Sequence, residues 1–247
     1  MEKIFRKIRK WFLKRYLSKI YKNFQLSREG QWIISLDDTC RLYDLVRRKS
    51  QEKNAQAVKI LELGGGIGAA TAVLAQALHN NHQSVEGGIV TVEQFEKCIN
   101  IARSLIPKYL LPYIEFIHSA TEVFEYKAVP YRYFTAYKNL PLSKNKNYDV
   151  LVIDGPSYWL ENEKLVDPAD VPNGDFIRIL PHLNAGAFVY IDGRRRTVKT
   201  IHRFFYKFLK PIEESDDYSI LIRTDVEFNE TLVIDKQIEE LKQQGYF

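Results

Sequence analysis

Ile60-Leu61-Glu62-Leu63-Gly64-Gly65-Gly66-Ile67-Gly68 runs from an apolar stretch through an acid into glycines at every second position, and Ala69 to Leu78 follows as a run of helix-compatible residues. Glycine opens backbone conformations closed to other residues and lets the main chain approach a ligand closely. The first amides of the following helix lack internal partners and attract a carboxylate or phosphate. The stretch therefore predicts a buried strand, a ligand-facing turn carried by Gly64, Gly66 and Gly68, and a helix start, with Glu62 near the strand's end.

Outward from this turn, strand and helix signals alternate. Strands are expected at Val58 to Leu63, Gly88 to Val92, Tyr113 to His118, Asp149 to Ile153 and Ala187 to Ile191. Helices are expected at Asp37 to Lys49, Ala69 to Leu78, Glu96 to Ile106, Asp175 to Leu183 and Val198 to Leu209, the first capped by Ser35 or Asp37. The strand cores IVTV, VLVI and FVYI are nearly continuous apolar runs, as expected where both faces are covered. Tyr218 to Arg223 and Thr231 to Asp235 look like two further strands whose short connection leaves no room for a crossover helix, so they should pair antiparallel. The expectation is an α/β fold: a seven-stranded, mostly parallel sheet with an antiparallel C-terminal hairpin and helices on both faces.

Residues 62–68 match in full the E-x-G-x-G-x-G motif of class I S-adenosylmethionine-dependent methyltransferases, and the expected sheet resembles theirs. The resemblance covers roughly Ile33 to Phe247. It implies that Gly64, Gly66 and Gly68 wrap the methionine part of S-adenosylmethionine and that Glu62 shapes the loop. Glu93, at the end of the second strand, stands where a ribose-binding acid is expected. Ser119 occupies the position where many members have an acid holding the adenine amino group, a departure that leaves this contact to another group. A competing reading is an NAD(P)-linked oxidoreductase, because Gly64, Gly66 and Ala69 also satisfy G-x-G-x-x-A. Glu62 and the terminal hairpin favour the methyltransferase.

Methyl transfer from a sulfonium is an in-line displacement, and a hydroxyl acceptor must also lose its proton. Asp154 and Asp192 each end an apolar strand and each precede a glycine, so they are the candidate catalytic groups, with Asp154 also near the cofactor. Two such carboxylates can hold a hard cation such as Mg2+, and the strand-end acids are similar to those of metal-dependent small-molecule and sugar O-methyltransferases. Gly193 stands where their third ligand would be, and Arg194-Arg195-Arg196 would repel a metal or bind an anionic substrate instead. Without a metal, either aspartate can serve as general base. Tyr158 and Trp159 are expected to wall the acceptor pocket, residues 31–35 to lie where related enzymes close over the cofactor, and Tyr126 to Tyr137 to form a lid or a packed loop. Nothing resembles the Asn/Asp-Pro-Pro-Tyr motif of enzymes that methylate nucleic-acid bases, so the acceptor is expected to be a small molecule or saccharide.

The chain divides on paper into a basic amphipathic helical extension, residues 1–30, and a methyltransferase domain, residues 31–247. In the extension Lys3, Arg6, Lys7, Arg9, Lys10, Lys14, Arg15, Lys19 and Lys22 face a single acid, Glu2, and account for much of the formal net charge of +5. Apolar residues from Ile4 to Phe24 recur between them at helical spacing. Two readings are open: a peripheral membrane anchor, or a helix that covers the domain or a dimer mate. A non-catalytic, membrane-associated binding module that keeps the cofactor loop is the alternative outside enzymes. Cys40 and Cys98 have no thiol or histidine at metal-ligand spacing, and a cytoplasmic location fits best, peripheral at the membrane if the helix is an anchor.

Overall fold

Ile60–Leu63 forms strand β1, which is buried along its whole length. It pairs in parallel with β2, Ile89–Glu93, and β2 with β3, Ile114–His118, in registers running from Ile60 opposite Ile89 to Glu93 opposite His118. In the computed structural model, residues 2–27, 33–53, 57–82, 88–129, 133–143, 147–156 and 171–243 are described. The chain divides into two compact units, Met1–His118 and Ser119–Phe247.

Among the described residues the first unit also contains the α-helices α1, Glu2–Gln25; α2, Leu36–Glu52; α3, Ala69–Asn80; and α4, Glu96–Leu105. Ser35 caps α2, its hydroxyl accepting from the Asp38 amide at 3.1 Å. Helix α3 is buried from Ala69 to Leu78, and its alanines let neighbouring elements approach closely. Helix α1 packs on α2 and α3 through Leu17, Ile20, Tyr21 and Phe24. Tyr21 Oη donates to the Ile34 carbonyl at 2.6 Å, and Asn80 Nδ2 donates to the hydroxyls of Tyr16 at 3.0 Å and Tyr43 at 2.9 Å. The second half of α1 thus covers its own unit.

The second unit begins with an antiparallel pair, β4, Thr121–Glu125, and β5, Tyr133–Tyr137. This hairpin lies where a lid or a packed loop was expected, and Tyr126, Phe134 and Tyr137 are buried, as packing requires; Tyr131 lies outside the described residues. Strand β6, Tyr148–Ile153, pairs in parallel with β7, Leu183–Asp192; α5, Asp175–Ile179, precedes β7 and α6, Arg195–Phe204, follows it. The antiparallel hairpin is present, but not between the two segments expected. Its strands are β8, Leu209–Glu214, and β9, Tyr218–Arg223, with β9 also antiparallel to β7. Thr231 to Asp235 belongs instead to helix α7, Glu230–Gln243.

Two physical reasons account for the correction. Of Thr231 to Asp235 only Val233 is fully buried, which suits a helix touching its neighbour once per turn, and the Asn229 side-chain oxygen accepts from the Thr231 amide at 2.9 Å. Strand β8 carries Pro211 and buries only Leu209, so it reads as polar, yet an edge strand tolerates both. The strands make one seven-stranded sheet in the order β3-β2-β1-β6-β7-β9-β8. Among the described residues no helix is long and apolar enough to cross a membrane.

Candidate functional site

In the first unit the turn after β1 stays close to β2. The Gly64 amide donates to the Val92 carbonyl at 2.8 Å before the chain leaves the sheet. Gly64, Gly66 and Gly68 then take φ of +87°, +51° and +92°, values that explain why the alternate positions are glycine. Gly68 also lies against α4, where a Cβ would stand 2.8 Å from Ala102 Cβ. At Gly66 a Cβ would meet nothing within 4 Å, so one side of the turn faces open space.

Glu93 closes that turn from β2. Its Oε2 accepts from the Gly66 amide at 2.8 Å and its Oε1 from the Phe95 amide at 2.9 Å. Burial pushes the Glu93 carboxyl up, against the pull of the Phe95 and Gly66 amides. A carboxylate offers about four acceptor sites, so each Glu93 oxygen keeps acceptor capacity after these bonds.

Glu62 lies one layer deeper and is fully buried. Thr71 Oγ1, on the first turn of α3, donates to its Oε2 at 2.6 Å, while Oε1 has no hydrogen-bond partner. Burial raises its carboxyl to about 7, and the hydroxyls of Thr71 and, on β2, Thr91 oppose that rise. Two neighbours carry no signal in the motif: at Gly65 a Cβ would fall 2.2 Å from Thr91 Oγ1, so this glycine is fixed by close approach of β2. Thr91, in the middle of an apolar strand, is the residue that imposes it.

Ser119 opens the second unit. It is buried, its Oγ accepting from the Asn139 amide at 2.9 Å and donating to the Ala120 carbonyl at 3.2 Å. Its hydroxyl therefore ties the start of β4 to the segment after β5.

Asp154 and Asp192 are brought together by the parallel register of β6 and β7, which sets Ile153 opposite Ile191 immediately before them. Both are half-buried. Arg194 reaches back, its Nη2 donating to the Asp154 carbonyl oxygen, while Arg195 turns outward to Asp216, with Nε donating to the main-chain oxygen at 3.2 Å. Arg194 and Arg195 thus make different main-chain contacts. Gly193 takes φ +58°, is exposed, and its amide donates to Asp217 O at 2.7 Å. Among the described residues no three His, Cys, Asp or Glu side chains gather as a metal would require. Two carboxylates beside a guanidinium are a poor donor set for a hard cation, and the described residues do not fit Mg2+.

Behind the acid pair lies a buried polar network that the sequence did not announce. Asn173 Nδ2 donates to the Gly155 carbonyl at 3.0 Å and to Asp175 Oδ2 at 3.1 Å. Asp175 also accepts from the Tyr137 amide at 3.0 Å, and burial raises its carboxyl to about 7 against the pull of that amide. The network holds the chain just after Asp154. Tyr158, Trp159, Gln31 and Trp32 lie outside the described residues.

No model of a known protein family matches the chain, and no curated protein matches it. Solved structures do resemble it. A methyltransferase from Geobacter sulfurreducens is 15% identical, with 85% of this chain and 89% of that chain covered and a TM-score of 0.51. The O-methyltransferase NovP is 13% identical, with 86% and 99% covered and a TM-score of 0.53. The O-methyltransferase TomG from Streptomyces achromogenes, solved in complex with SAM, is 17% identical, with 86% and 89% covered and a TM-score of 0.50. At these identities the likeness is one of fold: the chain has the α/β fold of class I methyltransferases.

Proposed function

We propose that the chain is an S-adenosylmethionine-dependent O-methyltransferase acting on a hydroxyl of a small molecule or saccharide. The observation that carries this reading is the Glu93 carboxylate held over the glycine turn by the Gly66 and Phe95 amides, with acceptor capacity left for the two ribose hydroxyls. The fit of the chain to the cofactor is supported by that carboxylate and by the open side of the turn at Gly66. Gly64, Gly66 and Gly68 would hold the methionine portion, Glu93 the ribose and Glu62 the shape of the loop. Ser119 would contribute to the adenine side through the backbone it fixes. When bound, the cofactor supplies an electrophilic methyl on a sulfonium.

The remaining chemistry belongs to the acceptor. Asp154 or Asp192 would accept the proton of the hydroxyl as its oxygen becomes the nucleophile, a task a carboxylate at a strand end can perform by direct hydrogen bonding. Asn173 would steady Asp154 through the adjoining Gly155 carbonyl. The NAD(P) alternative is disfavoured by strand β9 lying antiparallel between β7 and β8, where the dinucleotide fold is parallel throughout. The relatives named above support the acceptor class by analogy of fold.

Calorimetry with S-adenosylhomocysteine and with NAD tests the cofactor. Binding of S-adenosylhomocysteine alone is expected, and binding of NAD alone overturns the reading. For the acceptor step, Asp154→Asn and Asp192→Asn should leave S-adenosylhomocysteine affinity within a few-fold while at least one lowers turnover about 100-fold or more. Full turnover in both variants removes the aspartates from the mechanism.

A further inference from the structure

Helix α1 has two apolar faces, and the fold uses one. Leu17, Ile20, Tyr21 and Phe24 are buried against the first unit. At 3.6 residues per turn, Ile8, Trp11 and Phe12 lie on the opposite side, and Arg15, Lys19 and Lys22 continue the same stripe toward the helix's end. Ile8 is 48%, Trp11 54% and Phe12 60% exposed. Trp11 and Phe12 meet edge to face with centroids 4.9 Å apart, and the Arg15 guanidinium stands 5.6 Å from the Trp11 ring centre.

An aromatic cluster on an outward face set among cations calls for a partner that takes both. Residues 2–22 carry nine basic side chains against one acid. A second copy meeting this face across a two-fold axis would set like charge on like. A nucleic acid would welcome the cations, but edge-packed Trp11 and Phe12, with Arg15 beside the indole, do not offer a pair of open ring faces for bases. An anionic bilayer accepts all of it: aromatic and aliphatic groups enter the boundary between headgroups and acyl chains while Lys and Arg stay with the anionic headgroups. The opposite face is anchored, with Lys10 and Lys14 paired to Asp37 on α2, so the helix is folded and oriented before any contact.

We propose that the exposed face of α1, led by Ile8, Trp11 and Phe12 and continued by Arg15, Lys19 and Lys22, seats the protein on an anionic lipid surface. The proposal does not depend on the methyltransferase reading. It extends one of the two readings of the extension and reconciles them: the helix covers its own unit with one face and meets lipid with the other.

The test is co-sedimentation of the full chain with vesicles of phosphatidylcholine alone and of phosphatidylcholine mixed with phosphatidylglycerol. Binding is expected only to the mixed vesicles and should weaken as salt is raised. Trp11→Ala with Phe12→Ala should lower partitioning at least about tenfold, and Arg15→Gln with Lys19→Gln and Lys22→Gln should remove most of the salt dependence. Brominated acyl chains should quench tryptophan emission in the wild type and less in Trp11→Ala. Far-ultraviolet circular dichroism serves as the folding control, since the substituted side chains are exposed. Equal binding by wild type and the aromatic variant overturns the proposal. So does a self-association, or a binding of oligonucleotide, that the aromatic variant abolishes while mixed vesicles bind neither protein.

Discussion

Glu62→Gln isolates the free energy stored in a buried carboxylate. The side chain is fully buried, and its carboxyl rises from an ordinary value of 4.5 to about 7. At about 1.36 kcal/mol per pH unit this amounts to about 3 kcal/mol. Below pH 4.5 both folded and unfolded chains keep the proton, and Glu62 exacts no penalty. As pH rises through 4.5 toward 7 the unfolded chain releases the proton first, so the folded state loses stability across that window and reaches the full loss above it. Glutamine stays neutral throughout. It can still accept from Thr71, but its amide nitrogen would lie where Oε1 has no partner, an offset of about 1–3 kcal/mol that does not vary with pH. The readout is therefore the slope. The urea midpoints of wild type and Glu62→Gln, measured from about pH 5 to about pH 8, should converge on a constant difference at the alkaline end and separate by about 3 kcal/mol relative to the acid end. Asp175 titrates over the same range, yet it is present in both proteins and cancels in the difference. Curves that stay parallel from acid to alkaline refute a raised Glu62.

Gly65→Ala should destabilise the protein by about 1–3 kcal/mol, because its Cβ would fall 2.2 Å from Thr91 Oγ1; Thr91→Ala in the same chain should restore most of the loss, as read by thermal unfolding. Glu93→Ala removes the acceptor of two backbone amides and should weaken S-adenosylhomocysteine binding about 10- to 100-fold by calorimetry. Asp175→Ala strands the Tyr137 amide and one of the two Asn173 Nδ2 hydrogens and should lower stability by at least about 2 kcal/mol in urea unfolding.

The parts of this fold that were legible are those whose physics is local. A glycine that must take positive φ announces itself at its own position, so Gly64, Gly66 and Gly68 could be named from spacing. Strands covered on both faces show nearly continuous apolar runs, and β2, β6 and β7 did. Strand β8 and helix α7 were misread for the converse reason. An edge strand buries little and shows no alternation, while a β-branched stretch such as Thr231-Leu232-Val233-Ile234 carries strand propensity that one buried Val233 and the Asn229 cap override.

The same contrast divides the candidate site. The half proposed to hold the cofactor depends on residues close in sequence, apart from Glu93, and a motif captures it. The half proposed to meet the acceptor is assembled by pairings across long separations: Ile153 with Ile191, Arg194 with the Asp154 carbonyl, Asn173 with Gly155, Asp175 with Tyr137. None of these leaves a local pattern, and Gly65, whose constraint comes from Thr91, shows that even inside the motif a long-range contact is silent. The glycine turn answers to backbone geometry that few residues can supply, whereas the contact of Arg194 with the Asp154 carbonyl oxygen is one that lysine or glutamine can also make. Backbone conformation therefore constrains Arg194 less than it constrains Gly64, Gly66 and Gly68.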